Sequence, residues 1–246
     1  MRMKLGRKGI AVALSAVGLL GINDAIGHSF LCDGVVWGGT IDQNVVVPTG
    51  ANCILNAVTV NGNIGIRAGG EATLNAVMVN GNIDVKSDDV NGEGELYFGV
   101  IEGGEGRCFS DTDRTSNVSG NIAVKGSKNT FAGFGIGSPA PNCPAVLNLG
   151  KKDNRANLSI DRAHVYQGKP GNPDTINVYG NVSVANSDRD GLSTFYRIYS
   201  INVINTTAPS GKTKNSNMSC KNNIGGGLFA HYTVGGNLSG DNSCFP

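Results

Sequence analysis

Aromatic residues are scarce in this sequence, at 6% of 246 residues, and no long helical period follows residue 27. Glycine is abundant instead, with 37 residues. These features argue against a layered α/β enzyme and favour tightly coiled β structure with small residues at its corners. The formal net charge is only +1, so the sequence lacks the basic surplus of a nucleic-acid-binding protein. We therefore expect no nucleic-acid partner.

The apolar run at residues 10–22 is short of the ~20 residues that a membrane-spanning helix needs. Four basic residues precede the run, and the small residues Ala25 and Gly27 follow it at positions suited to signal cleavage. This pattern predicts a secretory signal at residues 1–27, cleavage before His28 and one mature domain at residues 28–246. We therefore expect a secreted or cell-surface protein with no membrane span after cleavage.

An internal repeat organises the first third of the mature chain. Asn44, Asn63 and Asn82 recur every 19 residues. Four apolar columns share that offset: Val36/Leu55/Leu74, Ile41/Val60/Val79, Val45/Ile64/Ile83 and Val47/Ile66/Val85. Within each copy the apolar residues alternate with other residues, which is the period of a strand with one buried face.

A unit of 19 residues is too small to bury its own apolar face, so it must stack on its neighbours at strand spacing, roughly 4.8 Å. Identical residues then lie above one another, and each amide of the Asn column can donate to the next coil. Gly62 and Gly81 precede this column, where we expect a turn with positive φ. The sequence thus predicts an all-β parallel solenoid with coils of about 19 residues.

The repeat weakens after Val85 and returns in part. Asn121, Asn181 and Asn237 follow the same corner motif at intervals of 60 and 56 residues, close to three coils each. We expect the intervening coils to have lost the Asn. Three segments rich in polar residues, Gly or Pro read as long loops outside the stack: residues 86–116, 125–145 and 206–223.

All six cysteines follow the predicted signal: Cys32, Cys53, Cys108, Cys143, Cys220 and Cys244. An even number in an exported chain favours disulfides, and the lack of Cys-x-x-Cys argues against a zinc or redox site. Six cysteines allow fifteen pairings. We expect sequential pairs, Cys32–Cys53, Cys108–Cys143 and Cys220–Cys244, the first spanning about one coil.

Gly50-Ala-Asn-Cys53, Val60-Asn-Gly-Asn63 and Val234-Gly-Gly-Asn237 together resemble the repeats of small exported bacterial proteins with Val-x-Gly-Asn-Val/Leu motifs. Those proteins are single right-handed parallel β-helices, so the resemblance implies that fold and an exported location. It implies no activity. A weaker similarity links the coil length to bactofilins and the general pattern to pectin-lyase-like β-helices.

Acidic and basic residues that could serve a lyase occur in clusters. A pectate-lyase-like site holds Ca²⁺ with carboxylates while Arg or Lys abstracts a proton. The catalytic candidates are Asp111, Asp113, Arg114, Asp188, Arg189 and Asp190, with Asp161, Arg162 and His164 as a further cluster. The alternative is that these are solvated turn residues. Outside the Ca²⁺-dependent hypothesis we expect no metal or cofactor.

An aromatic patch near residue 196 is the candidate ligand site. It consists of Phe195, Tyr196, Arg197 and Tyr199, with Tyr166 and Tyr179 predicted on neighbouring coils. Aromatic rings stack on sugars, and Arg binds acidic groups. The alternative interpretation is that these rings fill the core or cover an edge.

Two further motifs are incomplete. Asp88-Asp89 and Arg197-Ile-Tyr199 are fragments of a polygalacturonase pattern that lacks its Gly-His-Gly element. Ser210-Gly-Lys-Thr213 resembles the end of a phosphate-binding loop, but Thr206 stands where the first Gly is required.

The leading hypothesis is an exported, non-enzymatic β-solenoid that serves as a structural or surface-associated module of the cell envelope. The alternative is a polysaccharide-binding or polysaccharide-degrading protein that uses loops near residues 86–116 and 188–199. Expected partners are envelope or extracellular polysaccharide, and a second copy of the chain associating end to end through exposed strand edges.

Overall fold

The computed structural model describes residues 29–99, 115–137, 144–167, 173–189, 198–208, 210–224, 227–241 and 243–245. The regular elements in this part of the chain are all β-strands, of two to six residues. The described residues include no helix with the length and apolar character needed to cross a membrane. The all-β class predicted from the sequence is confirmed.

Three parallel sheets contain most of the described strands. Sheet I consists of β1 Ser29–Leu31, β4 Asn44–Val47, β7 Ile64–Ile66, β10 Ile83–Lys86, β13 Ile122–Lys125, β16 Leu158–Asp161, β19 Val182–Ala185, β24 Met218–Lys221 and β26 Leu238–Gly240. Sheet II consists of β2 Gly34–Trp37, β5 Asn52–Asn56, β8 Glu71–Asn75, β11 Glu95–Phe98, β14 Ala132–Ile136, β17 Ala163–Gln167 and β20 Asp188–Arg189.

Sheet III consists of β3 Thr40–Ile41, β6 Thr59–Val60, β9 Met78–Val79, β12 Thr115–Val118, β15 Val146–Leu149, β18 Thr175–Val178, β21 Ile198–Val203 and β25 Phe229–Val234. A short antiparallel hairpin, β22 Thr206–Thr207 and β23 Thr213–Lys214, lies outside the three sheets. Through β21 the strands enter sheets I, II and III in rotation, and we call each rotation a coil.

Strands of successive coils pair in parallel and in register, as the repeat predicts. Ile64 of β7 is the register partner of Val45 on one side and of Ile83 on the other. Val45 and Val47 are fully buried, whereas Val46 between them faces outward. Burying a side chain of this size stabilises the fold by roughly 1.5–3 kcal/mol. One apolar cluster extends from Cys32 to Cys244 and includes residues of all three sheets.

An asparagine ladder runs along the beginning of sheet I. In seven successive steps, the backbone N–H of one Asn donates to the side-chain Oδ1 of the Asn in the preceding coil, at 2.8–3.0 Å. The ladder comprises Asn44, Asn63, Asn82, Asn121, Asn157, Asn181, Asn217 and Asn237. The predicted stacking of Asn44, Asn63 and Asn82 is confirmed.

The expectation that the later coils lost their Asn is wrong. Asn157 and Asn217 occupy the ladder, so Asn121 and Asn181 are two coils apart, not three. Inserted residues lengthen the ladder steps from 19 to 39, 36, 24 and 36 residues. The two missed positions lack the Gly-Asn signature because Ala156 and Ser216 precede them.

The three predicted loops each contain a strand of the stack. Glu95–Phe98 lies within residues 86–116, Ala132–Ile136 within 125–145 and Met218–Lys221 within 206–223. In Ala132–Ile136 the outward positions are glycines, so the strand shows no alternation of polar and apolar residues. In Met218–Lys221 the inward residues are a Met and a Cys, a weak apolar signal.

Gly62 and Gly81 do not adopt positive φ, which corrects the expectation for the turn before the ladder. They are required for a different reason. A Cβ on Gly81 would lie 2.4 Å from the carbonyl oxygen of Gly62, and a Cβ on Gly62 would lie 2.5 Å from that of Gln43. Glycine therefore lets successive coils approach at this corner.

Two of the predicted disulfides are present. Cys32 bonds to Cys53 and Cys220 bonds to Cys244, with Cα–Cα distances of 5.3 and 5.7 Å. The predicted pair of Cys108 and Cys143 lies outside the described residues. Disulfides of this kind are compatible with an extracellular protein.

Candidate functional site

The outer face of sheet II carries a group of polar and aromatic side chains, which we call the sheet II cluster. It comprises Glu71, Glu95, Tyr97, Phe131, His164, Tyr166 and Asp188. Register places Glu71, Glu95, Gly133, His164 and Asp188 in one outward column that crosses five coils. Because alternate residues of a strand share a face, Tyr97, Gly135 and Tyr166 form the adjacent column.

Tyr97 and Glu95 form a hydrogen-bonded pair on strand β11. The Tyr97 hydroxyl donates to Oε2 of Glu95. Burial raises the pKa of Tyr97, and the bond to the Glu95 carboxylate raises it further. The phenol therefore stays protonated at neutral pH, and its hydrogen-bond donor fixes the position of the Glu95 carboxylate.

A row of glycines leaves space beside this pair. A Cβ on Gly135 would lie 2.5 Å from Cδ1 of Tyr97, and a Cβ on Gly133 would lie 2.9 Å from Cγ of Glu95. The side chains of Glu95 and Tyr97 thus extend over the two glycines of the neighbouring strand β14. As a result the ring of Tyr97 comes within 5.8 Å of the ring of Tyr166, two coils along the sheet.

His164 and Asp188 form a second pair at the other side of the glycine row. Nδ1 of His164 bonds to Oδ1 of Asp188, and both side chains retain about a quarter of their exposure, 27% and 23%. Because a carboxylate accepts, the Nδ1–H donates and Nε2 is the remaining polar atom of the ring. Phe131 stacks on the imidazole at 4.7 Å, which fixes the ring plane.

This arrangement suits binding of a ligand that has hydroxyl groups and an apolar face. Tyr97 and Tyr166 offer ring surfaces, the Glu95 carboxylate accepts hydrogen bonds, and His164 Nε2 can form a hydrogen bond to a ligand. Register also places Glu71 beside Glu95 on the adjacent coil. These are the components of a carbohydrate site or of a general acid–base site.

Two of the predicted acidic clusters contribute one residue each to the outer face of sheet II. Asp188 is the catalytic candidate that lies there, and it pairs with His164 from the cluster of Asp161, Arg162 and His164. Asp161 itself ends β16 in sheet I and accepts a bond from Asn186, so it lies outside the sheet II cluster. Arg189 lies in β20 by its backbone. The candidates Asp111, Asp113, Arg114 and Asp190 lie outside the described residues.

Of the four residues of the predicted aromatic patch, Tyr199 lies within the described residues. Tyr199 lies in sheet III, 39% exposed, with its ring 4.9 Å from that of His231. Tyr166 lies in sheet II, so the two rings belong to different faces. The other members of that patch, Phe195, Tyr196 and Arg197, lie outside the described residues.

Asp88 and Asp89 accept hydrogen bonds that hold the loops beside sheet I in place. Asp88 accepts the backbone N–H groups of Val90 and Asn91 and closes a turn. Asp89 bonds to the loop of the next coil through Ser127, Asn129 and Thr130. Hydrogen bonds from Asn91 lower the pKa of Asp88, and a hydrogen bond from Ser127 is the largest cause that lowers the pKa of Asp89.

Comparisons of the chain with family models, curated proteins and solved structures gave no match. Within the described residues, no three His, Cys, Asp or Glu side chains are grouped to hold a metal ion. Glu95, Tyr97 and Phe131 were not predicted as site residues, although Glu95-Leu-Tyr-Phe98 alternates as a strand does.

Proposed function

We propose that the three sheets form a single right-handed parallel β-helix of eight coils. The rotation of strands through sheets I, II and III and the common apolar core support this. Parallel strands of one sheet are joined by right-handed crossovers in about 98% of cases. A crystal structure of the mature protein should show one right-handed stack about 38 Å long at roughly 4.8 Å per coil. Left-handed crossovers, or sheets that belong to separate stacks, would contradict the proposal.

The function proposed for this β-helix is that of an exported, non-enzymatic structural or surface-associated module of the cell envelope. The continuous asparagine ladder from Asn44 to Asn237 is the observation that carries this proposal. In this ladder, one Asn side chain per coil accepts a hydrogen bond from the backbone of the next coil. The predicted signal at residues 1–27 and the two disulfides support an extracellular location.

Export can be tested by expressing the full chain in a secreting host and analysing culture and envelope fractions by intact-mass spectrometry. We expect a chain that begins at His28, with its cysteines oxidised, in the extracellular or envelope fraction. A chain that keeps residues 1–27 and stays in the cytoplasm would refute export. Replacing Ala25 and Gly27 with bulky residues is the matched control, because it should block cleavage only.

Polysaccharide binding is a second candidate function, favoured by the sheet II cluster. Tyr97 and Tyr166 place two rings 5.8 Å apart next to the Glu95 carboxylate and the His164–Asp188 pair. Sugar rings stack on aromatic faces, and carboxylates and imidazoles bond to sugar hydroxyls. A solenoid places such groups along one side of its stack.

A glycan array followed by calorimetry tests this second function. We expect Tyr166→Ala to weaken binding at least tenfold, while Tyr199→Ala on sheet III leaves it unchanged. Equal losses for both variants would exclude the sheet II cluster. An assay with uronate polymers and Ca²⁺ separates binding from lyase activity. Turnover that is lost in Asp188→Asn would overturn the non-enzymatic proposal.

A further inference from the structure

Basic side chains lie at the corner where the chain passes from sheet III to sheet I. This corner is at one edge of sheet I, and the junction with sheet II is at the other edge. The basic side chains come from the turn after β15 and from the β22–β23 hairpin. We call them the basic corner patch: Lys151, Lys152, Arg155, Lys212 and Lys214. The four lysines are exposed, and Arg155 is half-buried.

Hydrogen bonds hold these two distant segments together. The backbone N–H of Thr207 donates to the carbonyl of Lys152 at 2.7 Å. Thr207 pairs with Thr213 across the hairpin, and Lys212 and Lys214 are the neighbours of Thr213 in the sequence. Strand β22 therefore lies between Lys152 and these two lysines. Nη2 of Arg155 donates to the carbonyl of Asn215 at 3.1 Å and to Oδ1 of Asn181 in the ladder at 3.0 Å.

The patch has a positive surplus that the rest of the chain does not share. In the described segments 150–155, 204–208 and 210–217, Asp153 is the one acidic residue, and it forms an ion pair with Lys151 at 3.7 Å. Both of those side chains are about 70% exposed, so the pair is weak. The formal charge of the whole chain is only +1, which makes this surplus local.

We propose that the basic corner patch binds an acidic polysaccharide. Four exposed lysines surround Arg155, which two hydrogen bonds hold in place. They suit a polymer with repeated carboxylates, because Lys acts as a point charge without a demand for bidentate geometry. An extracellular setting, which depends on the proposed export, supplies such polymers. The near-neutral chain disfavours nucleic acid, which basic proteins bind through broad positive surfaces. Ser210-Gly-Lys-Thr213 belongs to this patch as a hairpin turn and strand, in place of a nucleotide loop.

The test measures binding of the mature protein to polygalacturonate in the presence of EDTA, with the fully methyl-esterified polymer as the uncharged match. The patch variant replaces Lys151, Lys152, Lys212 and Lys214 with Gln. A control variant of equal charge replaces Lys86, Lys125, Lys128 and Lys221, which are exposed at the sheet I–II side. We expect the patch variant to lose at least tenfold in affinity and the control to retain it. We also expect binding to fall as salt rises.

Each opposite result overturns the proposal. Binding that does not distinguish the acidic from the esterified polymer excludes a charge-based site. Equal losses in both quadruple variants would show a general charge effect. Tighter binding to single-stranded DNA or to anionic vesicles than to polygalacturonate would assign the patch to another class of partner. Glycan binding lost in Tyr166→Ala and polygalacturonate binding lost in the patch variant are measured in separate assays, so failure of the sheet II cluster and failure of the patch are separate outcomes.

Discussion

Replacing Gly81 with Ala tests the close approach of coils on which the stack depends. An added Cβ would lie 2.4 Å from the carbonyl oxygen of Gly62 and 2.6 Å from Oδ1 of Asn63. The first is a backbone atom and the second belongs to the asparagine ladder, so neither can move without disturbing the coil below. Gly65→Ala is the matched control, because a Cβ there meets nothing within 4 Å.

The two substitutions should have opposite signs. Forcing an extra carbon into a packed contact costs about 1–3 kcal/mol, sometimes more. Ala in place of Gly at a compatible position stabilises by about 0.4–1 kcal/mol, because it reduces the freedom of the unfolded chain. That unfolded-state gain is common to Gly81→Ala and Gly65→Ala. The difference between the two variants therefore isolates the clash in the folded state.

Urea unfolding followed by circular dichroism, with thermal scans in parallel, measures this difference. Each kcal/mol corresponds to about 2–4 °C in the midpoint for a domain of this size. We expect Gly81→Ala to unfold at lower urea than the parent protein, and Gly65→Ala at the same or higher urea. If Gly81→Ala is as stable as Gly65→Ala, then the coils do not approach as described and the stacking argument fails.

Three further outcomes are expected. Asn121→Ala should lower the unfolding free energy by about 1–2 kcal/mol, because the backbone N–H of Asn157 loses its acceptor at 2.8 Å, and an unchanged urea midpoint would argue against the ladder. Breaking the Cys32–Cys53 disulfide by a double Ser substitution should cost about 2–4 kcal/mol, read from the same unfolding curves. The folded pKa of Asp89 is lowered below 3.8, so its stabilisation is complete above that value and is lost as the pH falls below it. Asp89→Asn should therefore be less stable than the parent at neutral pH, and the two should converge in strong acid.

The asparagine column was predictable where its spacing was constant. Asn44, Asn63 and Asn82 share a fixed offset and a Gly-Asn or Gln-Asn corner, so the period alone identifies them. Asn157 and Asn217 escaped prediction because insertions changed the offset and no Gly precedes them. A single sequence does not show how far each insertion displaces the next coil.

The sheet II cluster was harder to predict than the fold. Register across coils of unequal length decides that His164 meets Asp188, and the sequence separation of 24 residues matches no period of the repeat. Tyr97 gains its position from Gly135 on a different coil, where the lack of a side chain makes the space. A glycine in a sequence does not show which side chain of an adjacent strand will occupy the space beside it.

The energetics of loop closure explain why coils of 19 and 39 residues coexist in one ladder. Doubling the length of a loop costs only about 0.6 kcal/mol of closure entropy. One ladder hydrogen bond contributes about 1 kcal/mol, and each buried Val or Ile contributes roughly 1.5–3 kcal/mol. A coil that keeps its Asn and its inward residues therefore tolerates a long insertion. Corners can then carry groups such as Lys152 and Lys212 without a change in the core, so we expect binding residues to concentrate at the corners and outward faces.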